Sequence, residues 1–192
     1  RPPGAAPCPA VVLSSDTGPH DRHGALLAEI ARALSAAGFL VLRYDDRGCG
    51  ASGGDFATAT LTDLEADAAG AAAYLRGRAD VASVSLAGHG EGALIACLLG
   101  AKDPALKAIA LLGMPGRSLD RLLFDGTPGQ EKLFEQIRAS REDWMEIDER
   151  RTFVAWLRER FLLDPAAALQ KVRVPRELFH GSRDREALTE GS

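Results

Sequence analysis

Long hydrophobic runs are missing from this sequence. Runs such as Ala108–Leu112 are far shorter than the about 20 apolar residues that a membrane helix needs. Cysteine is scarce as well. Cys8, Cys49 and Cys97 form no C-x-x-C pair and no zinc-like spacing, which argues against a disulfide framework or a structural metal and for three reduced thiols. Neither sign of charge dominates. Lys and Arg number 23 against 27 Asp and Glu, a formal net charge of −4, so neither nucleic acid nor an anionic membrane is an expected partner. The opening Arg-Pro-Pro-Gly lacks the cationic-then-apolar pattern of a secretory leader, and a cytoplasmic setting is the expectation.

What is present is 46% hydrophobic residue in a chain of 192, enough for one domain with a substantial core. The apolar runs alternate in type. Ala10–Ser14 (AVVLS) reads as a buried strand, and Gly24–Ala37 places Leu26, Leu27, Ile30, Ala31 and Leu34 at helical spacing before Gly38. Phe39–Tyr44 is a second strand. Leu61–Arg78 is an alanine-rich helix capped by Thr60 or Thr62, Val81–Ala87 a third strand, Glu91–Gly100 a helix, and Leu106–Leu112 a fourth strand. Val174–His180 is the last. Such alternation requires parallel pairing through right-handed crossovers. The predicted class is α/β, a mostly parallel sheet of about five strands with helices on both faces. Ligands of such sheets bind at the carboxyl ends of the strands, so the loops at 15–23, 45–60, 88–92 and 113–118 are expected along one edge.

From Arg117 to about Arg160 the alternation stops. Phe134, Ile137, Trp144, Ile147, Val154, Leu157 and Phe161 are spaced roughly as one helical face. This predicts two or three helices over the sheet's carboxyl edge as a lid; a surface insertion with no gating role fits the same pattern.

Two glycine motifs stand out. Gly48-Cys49-Gly50-Ala51-Ser52-Gly53 fits G-x-G-x-x-G, yet in a dinucleotide site the third glycine already lies in the phosphate-binding helix. Here Gly54, Asp55 and Phe56 intervene before the helical pattern near Leu61, and Glu65 and Asp67 fall inside a helix. No nucleotide, metal or organic cofactor is expected. The second motif, Gly88-His89-Gly90-Glu91-Gly92, stands between a strand and a helix. That is the context in which G-x-S-x-G presents a nucleophilic serine. Gly90 occupies the serine's place. The central residue of such a turn is held at positive φ, which glycine adopts without cost. Serine-to-glycine is therefore easy for the fold, but losing a triad serine costs on the order of 10⁶ in turnover. A generic strand-to-helix turn satisfies the spacing too.

Four segments together resemble the α/β-hydrolase superfamily, in particular its bacterial serine esterase and dipeptidyl-peptidase-like branch. GPHDR (Gly18–Arg22) is similar to that branch's G-P-Q-D-R loop, and LRYDDRGCGASGGDF (Leu42–Phe56) to its Y-D-x-R-G-x-G-x-S segment. GHGEG is similar to its G-H-S-E-G elbow, and DPAAALQKVRVP with HGSRD to the run into its seventh strand. The resemblance implies that Gly90 holds the nucleophile's position and Asp184 the acid's, with Gly88, His89 and Gly92 completing the elbow. It also implies an oxyanion hole formed by the Asp16–Thr17 loop and the Glu91 amide. Asp16 departs from the small residue expected there. Asp184 also reads as a solvated turn carboxylate, and Glu91 as a first-turn acid favoured by the helix dipole. Asp45, Arg47 and Ser52 are expected to brace their loop.

In this superfamily the triad histidine follows the acid, and no histidine follows Asp184; His20, His23, His89 and His180 all precede it. The family's opening hairpin and closing strand have no counterpart either. Phe39–Tyr44 and Val174–His180 are thus expected at the sheet margins, the former an apolar edge through which the chain could oligomerise. The expected organisation is a hydrolase core in 1–116, a helical lid insertion in 117–163 and the truncated remainder of the core in 164–192. The implied parent activity is carboxylic-ester hydrolysis through an acyl-enzyme, with a small acyl-ester-like ligand and with this chain inactive. Two alternatives stand beside it: a non-catalytic ligand-binding or scaffold module on the same fold, and an active esterase or peptidase engineered at position 90 and truncated.

Overall fold

An interior strand, β1 (Cys8–Ser14), turns Ala10 and Val12 to one face and Val11 and Leu13 to the other, and all four are buried. A strand enclosed on both faces reads as a continuous apolar run rather than an alternation. The computed structural model describes residues 7–124 and 129–182. In the same sheet stand β2 (Leu40–Arg43), β3 (Val81–His89), β4 (Ile109–Leu112) and the last strand among the described residues, β7 (Arg176–Phe179). Their order is β2-β1-β3-β4-β7, and every neighbouring pair is parallel. The α/β expectation is met, and β2 and β7 are the margins of the described sheet.

One face is covered by α1 (Ala25–Ala36), whose Leu27, Ile30, Ala31 and Leu34 pack on Val11, Leu13 and Ala87. The other is covered by α2 (Leu61–Arg76), α3 (Glu91–Lys102) and α7 (Pro165–Lys171). Thr60, not Thr62, caps α2. Its hydroxyl accepts from the Asp63 amide at 3.1 Å while the Asp63 carboxylate accepts from the Thr60 amide at 2.9 Å, a reciprocal box that satisfies two orphan donors. Thr62 instead donates its hydroxyl to Glu159 at 3.1 Å.

Residues 117–163 correct the all-helical expectation. Helices α4 (Leu119–Phe124), α5 (Glu131–Ala139) and α6 (Ala155–Leu162) are interrupted by an antiparallel hairpin, β5 (Trp144–Ile147) and β6 (Arg150–Phe153). Its two-residue turn is Asp148-Glu149 at φ 49° and 63°, the mirror-image geometry that hairpins favour but usually fill with Asn or Gly. Trp144 and Ile147 are three apart and mimic a helical face. In the strand it is Met145 and Ile147 that turn inward, onto a separate core of Phe134, Ile137, Val154 and Phe161.

The G-x-G-x-x-G stretch closes on itself. The Gly48 amide donates to the Gly53 carbonyl at 2.9 Å, and the Ala51 amide to the Asp45 carboxylate at 2.8 Å. Asp45 also accepts from the Arg22 amide at 2.7 Å and the Arg22 guanidinium at 2.6 Å. Ser52 donates to the Asp45 carbonyl at 2.8 Å, and Arg47 pairs with Asp67 at 2.8 Å. These three residues brace the loop, as expected. The Ala51 and Arg22 amides, with the Arg22 guanidinium, hold the Asp45 carboxyl well below the usual range. A depressed native pKa gives stability that is complete above the ordinary aspartate value, about 3.9, and is lost as pH falls through the native value. Asp45→Asn is expected to flatten the acid limb of a stability–pH curve measured by urea unfolding; an acid limb that keeps its slope would contradict this account.

Candidate functional site

Strand β3 runs two residues further than its apolar pattern and ends at His89; Glu91 then begins α3. Between them Gly90 lies at φ 55°, ψ −117°, a backbone that side-chain-bearing residues rarely adopt. Its flanking glycines are required by contact. A Cβ at Gly88 would run into the Gly92 carbonyl, and one at Gly92 into the Ser14 and Ser15 carbonyls at the end of β1. The turn is thus wedged against the loop that follows β1.

That loop brings Asp16 into the turn. A Cβ at position 90 would fall on the Asp16 carboxylate. Asp16 Oδ1 accepts from the Thr17 amide at 2.7 Å and the Glu91 amide at 3.2 Å, and Oδ2 lies 3.2 Å from His89 Nδ1. Five of the residues singled out in the sequence therefore converge: Asp16, Thr17, His89, Gly90 and Glu91. His20 turns back on its own loop, its Nε2 lying 3.1 Å from the Thr17 carbonyl. His180 follows β7 and is exposed. Asp184 lies outside the described residues.

The sequence reading missed what the Glu91 side chain does. It is 1% exposed, and its Oε1 accepts from the Trp156 indole at 3.1 Å and lies 3.2 Å from Arg160 Nε. Trp156 and Arg160 are four apart on α6 and so share a face, with Arg160 itself 2% exposed. Burial raises the Glu91 carboxyl, an effect opposed by the Arg160 charge and the Trp156 hydrogen bond, and burial lowers the Arg160 guanidinium. An arginine on the buried face of a short helix was the available signal. Through this cluster the 117–163 segment meets the start of α3.

Two voids adjoin the turn. The outer cleft, about 210 Å³, is lined by Thr17, Gly18, Phe56, Glu91, Phe153 and Trp156 together with Ala57 and Ala59. The inner recess, about 10 Å³, is lined by residues including Ser14, Ser15, Asp16, Tyr44, Asp46 and Glu91. Burial pushes the Tyr44 phenol up to about 12 and raises the Asp46 carboxyl. Among the described residues, no group of three or more His, Cys, Asp or Glu is placed to hold a metal ion. No helix among them is long and apolar enough to cross a membrane.

A five-stranded parallel sheet covered by helices on both faces, with a left-handed glycine between its third strand and the following helix, places the molecule among the α/β-hydrolases. The chain belongs to the family described as "Serine aminopeptidase, S33", whose model matches residues 18–121, more than half its length. It is similar to esterase EstD of Thermotoga maritima, with 26% identity over 204 residues that cover 95% of this chain and 48% of that protein. The chain thus spans about half the length of this curated relative. Among solved structures it is similar to Est1E from Butyrivibrio proteoclasticus with ferulic acid bound, at a TM-score of 0.74 and 20% identity over 97% of this chain and 74% of that one. The enol-lactonase from Burkholderia xenovorans LB400 matches at a TM-score of 0.59 and 25% identity over 96% of this chain and 76% of that one.

Proposed function

We propose that this chain is a serine-ester-hydrolase-like domain that holds a small ligand at its elbow without serine-triad hydrolysis. In this reading the Thr17 and Glu91 amides are the oxyanion hole, and Gly90 is the nucleophile's position. Phe153 and Trp156, from the 117–163 segment, bound the ligand's apolar part. One observation carries the reading: the volume in which a serine side chain would stand is taken by the Asp16 carboxylate, which also accepts from both amides. A hole filled by a resident carboxylate has no free donor for the charge that develops on a substrate carbonyl. Both halves of acyl transfer, attack and oxyanion stabilisation, are then missing together. The unmodified chain is expected to release no chromophore from a short-chain nitrophenyl ester above the buffer rate. Steady turnover that Asp184→Ala abolishes would refute the proposal.

A further inference from the structure

We propose that the elbow cavity binds a small primary ammonium carrying a ring-sized apolar body, with its charged head at Asp16. This rests on the reading above and names the ligand class of the same site. The outer cleft and the inner recess share Phe56 and Glu91 in their walls, so one molecule can occupy both. The cleft offers three aromatic residues, Phe56, Phe153 and Trp156. Aromatic rings take apolar bodies and attract a nearby cation through their quadrupoles. The recess, about 10 Å³, has room for one group the size of water. An ammonium head has that size and brings three donors, and the residues around the recess supply mainly acceptors.

Charge balance sets the sign. Glu91 is paired with Arg160 at 3.2 Å and Asp67 with Arg47 at 2.8 Å. Among the described residues no lysine or arginine forms an ion pair with Asp16 or Asp46, although Arg160 acts on Asp16 at longer range, and the basic groups nearest to them are His89 and His20. Asp46 is held by the Ser15 hydroxyl and the His20 amide, each at 3.0 Å, and Asp16 by two amides and the His89 ring. A carboxylate ligand would meet like charge and amides already taken. An ammonium would meet two carboxylates, Asp16 with its side chain 44% exposed and Asp46 buried, and on the buried side of the recess charge pairs count for more than in water.

The test uses the unmodified chain and a matched pair of probes, benzylamine and benzoate, at neutral pH. Binding is followed by the ¹H–¹⁵N signals of the Trp156 indole and the Glu91 amide. Benzylammonium is expected to shift both signals saturably and benzoate neither, and Asp16→Asn to weaken benzylammonium at least tenfold. Benzoate binding as tightly, undiminished binding by the Asp16→Asn variant, or silence to both probes would each overturn the proposal; silence would leave the recess to water. Ester turnover by the unmodified chain is a separate result that would overturn the preceding reading without altering this charge preference.

Discussion

Gly90→Ser is expected to destabilise the domain by about 2–4 kcal/mol, and much less when Asp16→Ala is present. Two costs combine in the single variant. A side chain forced to φ 55° stores about 1–3 kcal/mol of backbone strain. The new Cβ also has to displace the Asp16 carboxylate from the two amides it accepts from, and hydrogen bonds to a charged group contribute about 1.5–3 kcal/mol. With Asp16→Ala in the background only the strain remains. The double-mutant cycle should therefore show a coupling of about 1–3 kcal/mol that favours the pair, measured by urea unfolding. Additivity within about 0.5 kcal/mol, as for independent sites, would mean that Asp16 does not occupy the volume beside Gly90. The chemistry follows the same logic. Gly90→Ser alone is expected to gain no ester turnover, because a serine needs both the space and the donors that the carboxylate holds.

Arg160→Leu is expected to cost about 3–5 kcal/mol, because it leaves the Glu91 carboxylate buried without its cation. Both partners are almost wholly inside the protein, at 1% and 2% exposure, so water cannot take over the missing interaction. Replacing the pair, as Glu91→Leu with Arg160→Leu, should be milder than Arg160→Leu alone, since the desolvation of both charges is then relieved. The pH dependence has a definite sign. Burial raises Glu91, and Asp46 with it, so the native state binds these protons more tightly than the unfolded chain. Their contribution is most favourable in acid and declines as pH rises from the ordinary carboxylate range, about 4, through the native values. Arg160→Leu removes an interaction that holds Glu91 down, so the decline should extend to higher pH. Urea midpoints across that range test both statements. A destabilisation under 1 kcal/mol would show that the Glu91–Arg160 contact is not made in solution.

Features carried by local pattern were legible in the sequence. The unbroken AVVLS run declared an enclosed strand, Thr60 was one of the two caps expected for α2, and the glycine triplet at 88–92 marked the sharp turn. The hairpin at Trp144–Phe153 was not legible. Its turn, Asp148-Glu149, lacks the residues that usually signal one, and an i, i+3 apolar pair fits a helix as well as it fits a strand. The Glu91–Trp156–Arg160 cluster was hidden for another reason. Each residue satisfies a plain local role, a first-turn acid or a helix-surface charge, until the helices pack together.

The order of apolar runs and glycines was sufficient to determine the parallel sheet and the position of the sharp turn at 88–92, because strand burial and left-handed turns are set by near neighbours; the sheet's margins followed from the family resemblance. The occupant of the space beside that turn is a different matter. Asp16 and Glu91 stand 75 positions apart, and no local rule sends a carboxylate from one loop into the side-chain volume missing from another. Only the close passage of β1 against β3, enforced by glycines at 88 and 92, brings them together.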